Sequence, residues 1–364
     1  MVTNTAPTGK HFAALDGLRG IAVLMVVLSH LSLLQLNPFP VDFAGIGKCG
    51  VYLFFVLSAF LLTYQFFEKG VQSAFTAPAL ANYFWRRALR VLPLFYLVVL
   101  VSGITTRFFS SDLGGVGFPY TLTLREMVAH FLLLEGTGVL WSIPVEFKFY
   151  FLLPLIAGGF LITGRKGIGV DVIAAVSLIA LVQHWFPTTT LNLGTVDLRF
   201  FLPVFVIGCL CASIAFKVPF DRHPGVASAI AWTIAAVIVL TIPSVYSAVI
   251  RPVPAGYFQK SLLLYAILWA VFLFMALHAG GWLRNLLTSR FLVFMGRISF
   301  SVYLLHFPIL RICHKVAPEG RWVGALAFAL VLGLATASYR LIERPLSRIR
   351  MRDVGRLMRL SSAV

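Results

Sequence analysis

Charged side chains are scarce in this sequence. Asp, Glu, Lys and Arg make up 12% of the 364 residues, whereas soluble domains contain about 25%. Hydrophobic residues make up 59% of the chain, and the mean hydropathy is +0.91. A chain with so little charge cannot cover a folded surface with polar groups in water. The composition therefore excludes an ordinary cytosolic enzyme, a disordered protein and a DNA-binding module.

Cysteines and linkers are also few. The four cysteines (Cys49, Cys209, Cys211 and Cys313) lie in or beside apolar runs and lack the spacing of zinc ligands. We therefore expect neither a disulfide framework nor a metal site. The sequence has no internal repeat, no Gly/Ser linker and no low-complexity tract, so nothing divides it into separate modules.

Long apolar runs are what the sequence has in abundance. A helix needs about 20 apolar residues to cross a bilayer, and ten candidate spans are present. They cover residues 14–34, 49–67, 90–107, 140–162, 168–187, 198–217, 225–250, 257–278, 291–314 and 321–342. The sequence therefore predicts an all-α, polytopic membrane bundle of about ten transmembrane helices without a soluble appended domain. The predicted parts are an N-terminal tail (1–13), a transmembrane domain (14–342) and a basic C-terminal tail (343–364).

The basic residues predict the orientation of this bundle. Ten spans place both termini on one side, and seventeen of the thirty Lys and Arg residues fall in loops and tails on that side. Because cytoplasmic loops are enriched in Lys and Arg, both termini are expected to be cytoplasmic. The net charge of +17 then reflects topology and attraction to anionic lipid, and no nucleic-acid partner is expected.

Several charged residues lie inside the apolar spans. A charge near the bilayer centre costs about 3 kcal/mol on insertion scales, so it usually has a partner and a function. At 1.5 Å per residue along a helix, these residues fall at two depths. One depth holds the arginines: Arg19, the cluster of Arg86, Arg87 and Arg90, Arg297 and Arg340. The other holds His30, Glu146 and His306, beside Trp141 and Ser142. The arginines suit the phosphates of a nucleotide-containing cofactor, and a His beside a carboxylate suits general-base chemistry on a hydroxyl.

Each of these residues also has a simpler explanation. An Arg at a helix end can extend to lipid headgroups, and a basic cluster can serve only to orient its span. A membrane His can hydrogen-bond a neighbouring helix, and Glu146 can pair with Lys148. The functional interpretation depends on the convergence of several residues at the same two depths.

Six strings in the sequence resemble the acyltransferase-3 family of integral membrane O-acyltransferases. The first, LDGLRGIAVLMVVLSH (15–30), contains the family's pattern of Arg, ten residues and His as Arg19 and His30. The others follow in family order: GVYLFFVLSAFLL (50–62), RRALRVLP (86–93), LWSIPVEFKFYFLLPL (140–155), GRISFSVYLLHFPIL (296–310) and YRLIERPL (339–346). One departure is Ala59, where the family usually carries Gly. The strings are spread over nearly the whole chain, from residue 15 to residue 346.

The resemblance implies an activity and a set of site residues. Members of the family take an acyl group, usually acetyl, from cytosolic acyl-coenzyme A. They deliver it to a hydroxyl of a carbohydrate or glycoconjugate on the outer side of the cytoplasmic (inner) membrane. The resemblance, taken with the depths, assigns His30 as the catalytic base and Glu146 as the group that orients its ring. The residues assigned to coenzyme A are Arg19, Arg87, Arg90 and Arg297. Those assigned to the acceptor are Trp141, Ser142 and His306. Direct transfer and an acyl-enzyme both remain open.

A transporter is the alternative from another functional class. Intramembrane His, Glu and Arg side chains also form proton relays in carriers. A proton-coupled transporter or a lipid-linked sugar flippase would share this composition. The missing repeat and the basic cluster favour the acyltransferase, and dependence on coenzyme A distinguishes the two functions.

Overall fold

Helices form all the regular structure of the described chain. The computed structural model describes residues 13–109, 120–218, 223–317 and 321–349, and these ranges contain no strand. The helices are α1 (Ala13–Leu33), α2 (Gly47–Ala74), α3 (Ala77–Phe109), α4 (Leu124–Phe131), α5 (Ser142–Thr163), α6 (Ile168–Trp185), α7 (Leu198–Lys217), α8 (Pro224–Leu240), α9 (Pro243–Val249), α10 (Leu262–His278), α11 (Gly281–Leu287), α12 (Arg290–Arg297), α13 (Ser299–Val316) and α14 (Arg321–Ser338). The all-α prediction is confirmed. Most of the two predicted tails, residues 1–12 and 350–364, lies outside the described residues.

Seven helices in the described ranges are long and apolar enough to cross a membrane, and the number rises to ten when each bent helix pair counts as one span. The bent pairs are α8–α9 (88°), α10–α11 (107°) and α12–α13 (78°). This agrees with a multi-pass membrane bundle of about ten spans. The prediction of one continuous helix over 291–314 is wrong, because the chain turns at Ile298, between α12 and α13.

The third span begins much earlier than its apolar sequence does. Helix α3 starts at Ala77, thirteen residues before the predicted start of the span. Arg is a good helix former, so a basic cluster limits the depth of a helix in the bilayer without ending the helix. Arg87 and Arg90, three residues apart, are neighbours on the surface of α3 and line the same cavity, whereas Arg86 is exposed and does not line it.

Helices α2 and α7 form the centre of the bundle. In the most apolar segment of each helix, 78% of the residues of α2 and 72% of those of α7 are buried inside the protein, compared with 11% for α6. Lipid tails are as apolar as leucine, so apolar surface alone does not hold a peripheral helix in place. Polar contacts attach α6: the buried Asp171 accepts hydrogen bonds from Thr163 and Ser213 and pairs with Lys217.

Glycines let α1 approach its neighbours closely. A Cβ at Gly296 of α12 would lie 1.9 Å from the carbonyl oxygen of Asp16 on α1. Likewise, a Cβ at Gly17 would lie 1.8 Å from the carbonyl oxygen of Leu287, at the end of α11. Small residues at such crossings permit backbone contact between membrane helices. They place Arg19 and His30 of α1 against α12 and α13.

The Gly296 contact yields a stability prediction. Gly296→Ala would drive a methyl group into backbone, and such overpacking costs about 1–3 kcal/mol or more. We expect a lower midpoint of thermal unfolding in detergent. Gly333→Ala is the matched control, because nothing lies within 4 Å of a Cβ there. Equal midpoints for the two variants would contradict the close crossing of α1 and α12.

The segment before α5 is fixed by its own polar contacts. Thr123 caps α4, and its backbone and hydroxyl hydrogen bonds to the Glu126 carboxylate hold the pKa of Glu126 below its usual range. The buried His130 ring receives the backbone N–H of Thr137 at 2.9 Å. The 3₁₀ turn Gly138–Trp141 follows and leads directly into α5.

Candidate functional site

Two cavities share one wall inside the bundle. The arginine cavity is lined by Arg19, Ser58, Arg87, Arg90, Glu146 and Tyr150, among others. The histidine cavity is lined by His30, Lys48, Trp141, Leu193, Gln259 and others. Val51 and Tyr303 line both cavities and so form the wall between them. Arg19 and His30 are eleven residues apart on α1, which corresponds to about 16 Å along the helix axis.

Three guanidinium groups from two helices give the arginine cavity its charge. Arg19 extends from α1, and its Nη2 donates to Ser299 Oγ at 3.3 Å. Arg87 and Arg90 come from one face of α3, and the buried Nε–H of Arg87 has no hydrogen-bond partner in the described residues. An unsatisfied buried donor is costly, so a ligand that brought an acceptor to this N–H would remove that cost. The arrangement suits a phosphate or another polyanion.

Glu146 belongs to the arginine cavity. Its Oε1 accepts hydrogen bonds from Ser58 at 2.6 Å and from Tyr150 at 2.7 Å. The structure therefore does not place Glu146 against His30, which it was predicted to orient. The depth of a residue gives its height along a span but not the face of the helix from which it extends, and Glu146 faces Ser58 of α2.

The group in contact with the His30 ring is a second histidine. His306 Nε2 lies 3.1 Å from His30 Nδ1, and His306 is completely buried. His306 Nδ1 lies 2.7 Å from the carbonyl oxygen of Tyr303 and 3.1 Å from that of Val302. Both are acceptors, so His306 Nδ1 carries the proton and its Nε2 presents a lone pair.

This arrangement assigns the tautomer of His30. Its Nδ1 meets two acceptors, the lone pair of His306 Nε2 and the carbonyl oxygen of Val26 at 2.9 Å. Neutral His30 therefore carries its proton on Nδ1, which leaves Nε2 unprotonated. A ring with an unprotonated Nε2 on the lining of a cavity is suited to accept a proton from a hydroxyl there.

Comparison with known proteins identifies the family of this chain. Residues 12–340 match the family model of the acyltransferase-3 acyltransferase domain. The chain belongs to the acyltransferase-3 family. No solved structure matches it at a comparable level of significance.

Several curated relatives of this acyltransferase-3 chain carry O-acetyltransferase names. It is 24% identical over 374 aligned residues to the peptidoglycan O-acetyltransferase OatA of Listeria monocytogenes. The alignment covers 96% of this chain and 58% of the relative. It is 25% identical over 360 aligned residues to a putative O-acetyltransferase of Staphylococcus aureus, and that alignment covers 92% of this chain and 57% of the relative. A putative peptidoglycan O-acetyltransferase of Bacillus subtilis, YrhL, is 25% identical over 382 aligned residues. This alignment covers 95% of this chain and 56% of the relative. The chain thus spans little more than half the length of these relatives.

The three residues predicted to contact an acceptor lie in different places. Trp141 lines the histidine cavity. Ser142 lines the arginine cavity, where its Oγ donates to Tyr303 Oη at 2.8 Å, and Tyr303 in turn donates to the carbonyl oxygen of Val139 at 2.7 Å. His306 lies behind His30, so it contacts that ring and does not line the cavity.

Arg297 lies apart from the other three arginines predicted to bind the cofactor. It is exposed at the last residue of α12 and is not on the lining of the arginine cavity. The bend at Ile298 explains the difference, because a straight helix would have continued Arg297 into the same span as His306. His306 is seven residues into α13, about 10 Å from its start.

Sequence reasoning missed two residues on the cavity linings, Lys48 and Tyr303, and one buried carboxylate, Glu343. Lys48 was assigned to a loop but lies in the first turn of α2, on the histidine cavity. Tyr303 was not given a role, although it forms part of the wall between the cavities. Glu343 is buried in the π-helical turn Tyr339–Glu343, where Ser301 donates to it. Glu343 lies next to Arg344 at the start of the predicted basic tail, so the sequence carried no signal that its carboxylate is buried.

Metal ligands do not form a cluster in the described ranges. No group of three or more His, Cys, Asp or Glu side chains there could hold a metal ion. The described residues supply a cationic cavity and, across a shared wall, an imidazole ring that lines a second cavity.

Proposed function

We propose that this chain is a membrane O-acyltransferase that moves an acyl group, acetyl in the simplest case, from acyl-coenzyme A to a carbohydrate hydroxyl. The observation that carries the proposal is the shared wall of Val51 and Tyr303 between the arginine cavity and the histidine cavity. One cavity suits the phosphates of a donor and the other holds a base. Family membership and the names of the relatives support the reaction class.

The donor would bind with its phosphates against Arg19, Arg87 and Arg90. Guanidinium groups bind phosphate oxygens in pairs and keep their charge at any working pH. The pantetheine arm would then extend toward the wall and bring the thioester to His30. Arg297 is left out of this donor site because it is exposed and distant from the cavity lining.

The acceptor would be a carbohydrate hydroxyl in the histidine cavity, in keeping with the peptidoglycan named for two relatives. The hydroxyl oxygen attacks the thioester carbonyl carbon while His30 Nε2 takes its proton. The carbon–sulfur bond then breaks, and the coenzyme A thiolate takes up the proton from the imidazolium. This route is a direct transfer. Ser142 does not contact His30, so the geometry does not favour an acyl-enzyme on that residue.

The proposed location is the cytoplasmic membrane with both termini in the cytoplasm. The distribution of Lys and Arg between the loops supports this orientation. It places the arginine cavity toward the cytoplasm, where acyl-coenzyme A is made, and the histidine cavity toward the outside.

Purified protein in detergent tests the proposal. We expect release of the coenzyme A thiol from acetyl-coenzyme A to depend on an added peptidoglycan fragment, with the acetyl group recovered on that fragment. A transporter would be indifferent to acetyl-coenzyme A. Absence of acetyl transfer to any carbohydrate, with other acyl-coenzyme A esters also inert, would contradict the proposal.

His306 is expected to act by positioning His30. His306→Phe keeps a ring but removes the acceptor at Nε2, so one hydrogen bond to His30 is lost, worth about 1–1.5 kcal/mol or roughly ten-fold in kcat. The KM for acetyl-coenzyme A should not change. His306→Gln can offer its side-chain oxygen near the position of Nε2 and should recover most of the rate. Equal losses in both variants would indicate that His306 contributes packing only.

A further inference from the structure

Lys48 is a cation held in place inside the histidine cavity. Its Nζ donates to the carbonyl oxygen of Leu193 at 3.2 Å and lies 3.9 Å from the centre of the Trp141 ring. An ammonium group has three N–H donors, and these two contacts leave at least one for a group in the cavity. The lining on which Lys48 lies also includes His30.

The charge of Lys48 is not balanced by a carboxylate. Among the described residues, the lining of the histidine cavity includes no Asp or Glu, whereas Lys217 in the same bundle pairs with Asp171. Lys217 shows the usual arrangement for a membrane lysine, since Asp171 neutralises it. A partly desolvated cation with only a carbonyl oxygen and an aromatic ring for partners favours an anionic ligand.

The position of Lys48 favours the acceptor over the donor as the source of that anion. Val51, on the wall facing the arginine cavity, is three residues further along α2, about 4.5 Å along the helix axis. Lys48 is instead held by Leu193, which belongs to the loop between α6 and α7, and other loop residues such as Ala255 line the same part of the cavity. The ammonium group therefore lies on the loop side, away from the wall that the thioester would approach.

We propose that Lys48 binds a carboxylate of the acceptor and makes the histidine cavity selective for acidic carbohydrates. The carboxylate would accept the free N–H of Lys48 while a hydroxyl of the same molecule lies at His30. This inference rests on the proposed function, because it concerns the acceptor of that reaction. Lys48 is a specificity-determining residue in this account, and the base remains His30.

Binding of a matched pair of sugars tests the role of Lys48 without any donor. N-acetylmuramic acid and its methyl ester have the same ring and nearly the same shape, but only the acid carries a negative charge. A charge-assisted hydrogen bond should make the wild type bind the acid about ten-fold more tightly than the ester, measured by calorimetry in detergent. Lys48→Gln should abolish this difference, and Lys48→Arg should keep most of it.

Acetyl-coenzyme A binding controls for folding, because the arginine cavity should be intact in both variants. A wild type that binds both sugars equally or binds neither, or a Lys48→Gln variant that keeps the preference, would overturn the proposal. The proposal would also be overturned if Lys48→Gln bound both sugars as the wild type does but hydrolysed acetyl-coenzyme A more slowly. That result would indicate that Lys48 stabilises the oxyanion formed in the reaction. A preference for the acid without any acetyl transfer would support the Lys48 site and contradict the proposed function instead.

Discussion

His30→Ala is expected to lower the turnover of acetyl transfer by about 10²–10⁴-fold, the range found when a general base is removed. The His30 ring lines the histidine cavity, and its Nδ1 contacts the carbonyl oxygen of Val26 and Nε2 of His306. Its Nε2 is therefore the ring nitrogen with a lone pair left to accept a proton. No other histidine in the described ranges lines that cavity. The measurement is the initial rate of coenzyme A release with a saturating acceptor.

The matched control for this variant is His184→Ala. His184 is exposed near the end of α6, where its ring lies edge-to-face against Trp185, so its removal should leave the rate unchanged. Binding of acetyl-coenzyme A should survive in His30→Ala, which separates loss of the base from loss of the fold. A His30→Ala enzyme that keeps more than a tenth of the wild-type rate would exclude His30 as the base.

Arg87→Ala should raise the KM for acetyl-coenzyme A by about 10- to 100-fold, because hydrogen bonds to charged groups contribute about 1.5–3 kcal/mol. Arg87 is chosen because it lines the arginine cavity and its buried Nε–H lacks a partner in the described residues. Arg87→Lys should recover only part of the affinity, since an ammonium group cannot form the paired contact of a guanidinium.

Arg86→Ala is the control within the same helix. Arg86 is the neighbour of Arg87 in sequence but is exposed and does not line the arginine cavity. Its removal takes away the same formal charge and should change the KM by less than about three-fold, as expected for a solvent-screened contact. If Arg86→Ala and Arg87→Ala raise the KM equally, the effect is one of general charge, and the arginine cavity is not the donor site.

The sequence was sufficient to predict the class of fold because the bilayer constrains it so strongly. Runs of about 20 apolar residues can only be helices in lipid, and the resulting all-α bundle of about ten spans agrees with the structure. Composition could not show where a span bends. The turn at Ile298 follows from packing of α12 and α13 on α1, a contact between residues almost 300 positions apart in the chain.

The site was only partly predictable, for a related reason. Depth along each helix correctly grouped Arg19 with Arg87 and Arg90, because height follows from residue number. It could not give the direction in which a side chain extends. Glu146 was therefore expected beside His30, but it faces Ser58 in the other cavity.

Lys48 and His306 illustrate the same limit. Both lie on elements that the sequence identified, but their contacts depend on the packing of distant helices and loops. His306 was predicted to contact the acceptor, and the structure places it against the His30 ring. Lys48 was counted as a loop charge because its neighbours in sequence are polar or small, although Trp141 and Leu193 hold it inside the cavity.

The central claim is that donor binding and proton abstraction occupy separate cavities. Titration of acetyl-coenzyme A into the wild type, His30→Ala and Arg87→Ala by calorimetry, without an acceptor, tests it most directly. The account predicts the same dissociation constant for the wild type and His30→Ala, and weaker binding for Arg87→Ala. Equal weakening in both variants, or no binding to the wild type, would contradict it.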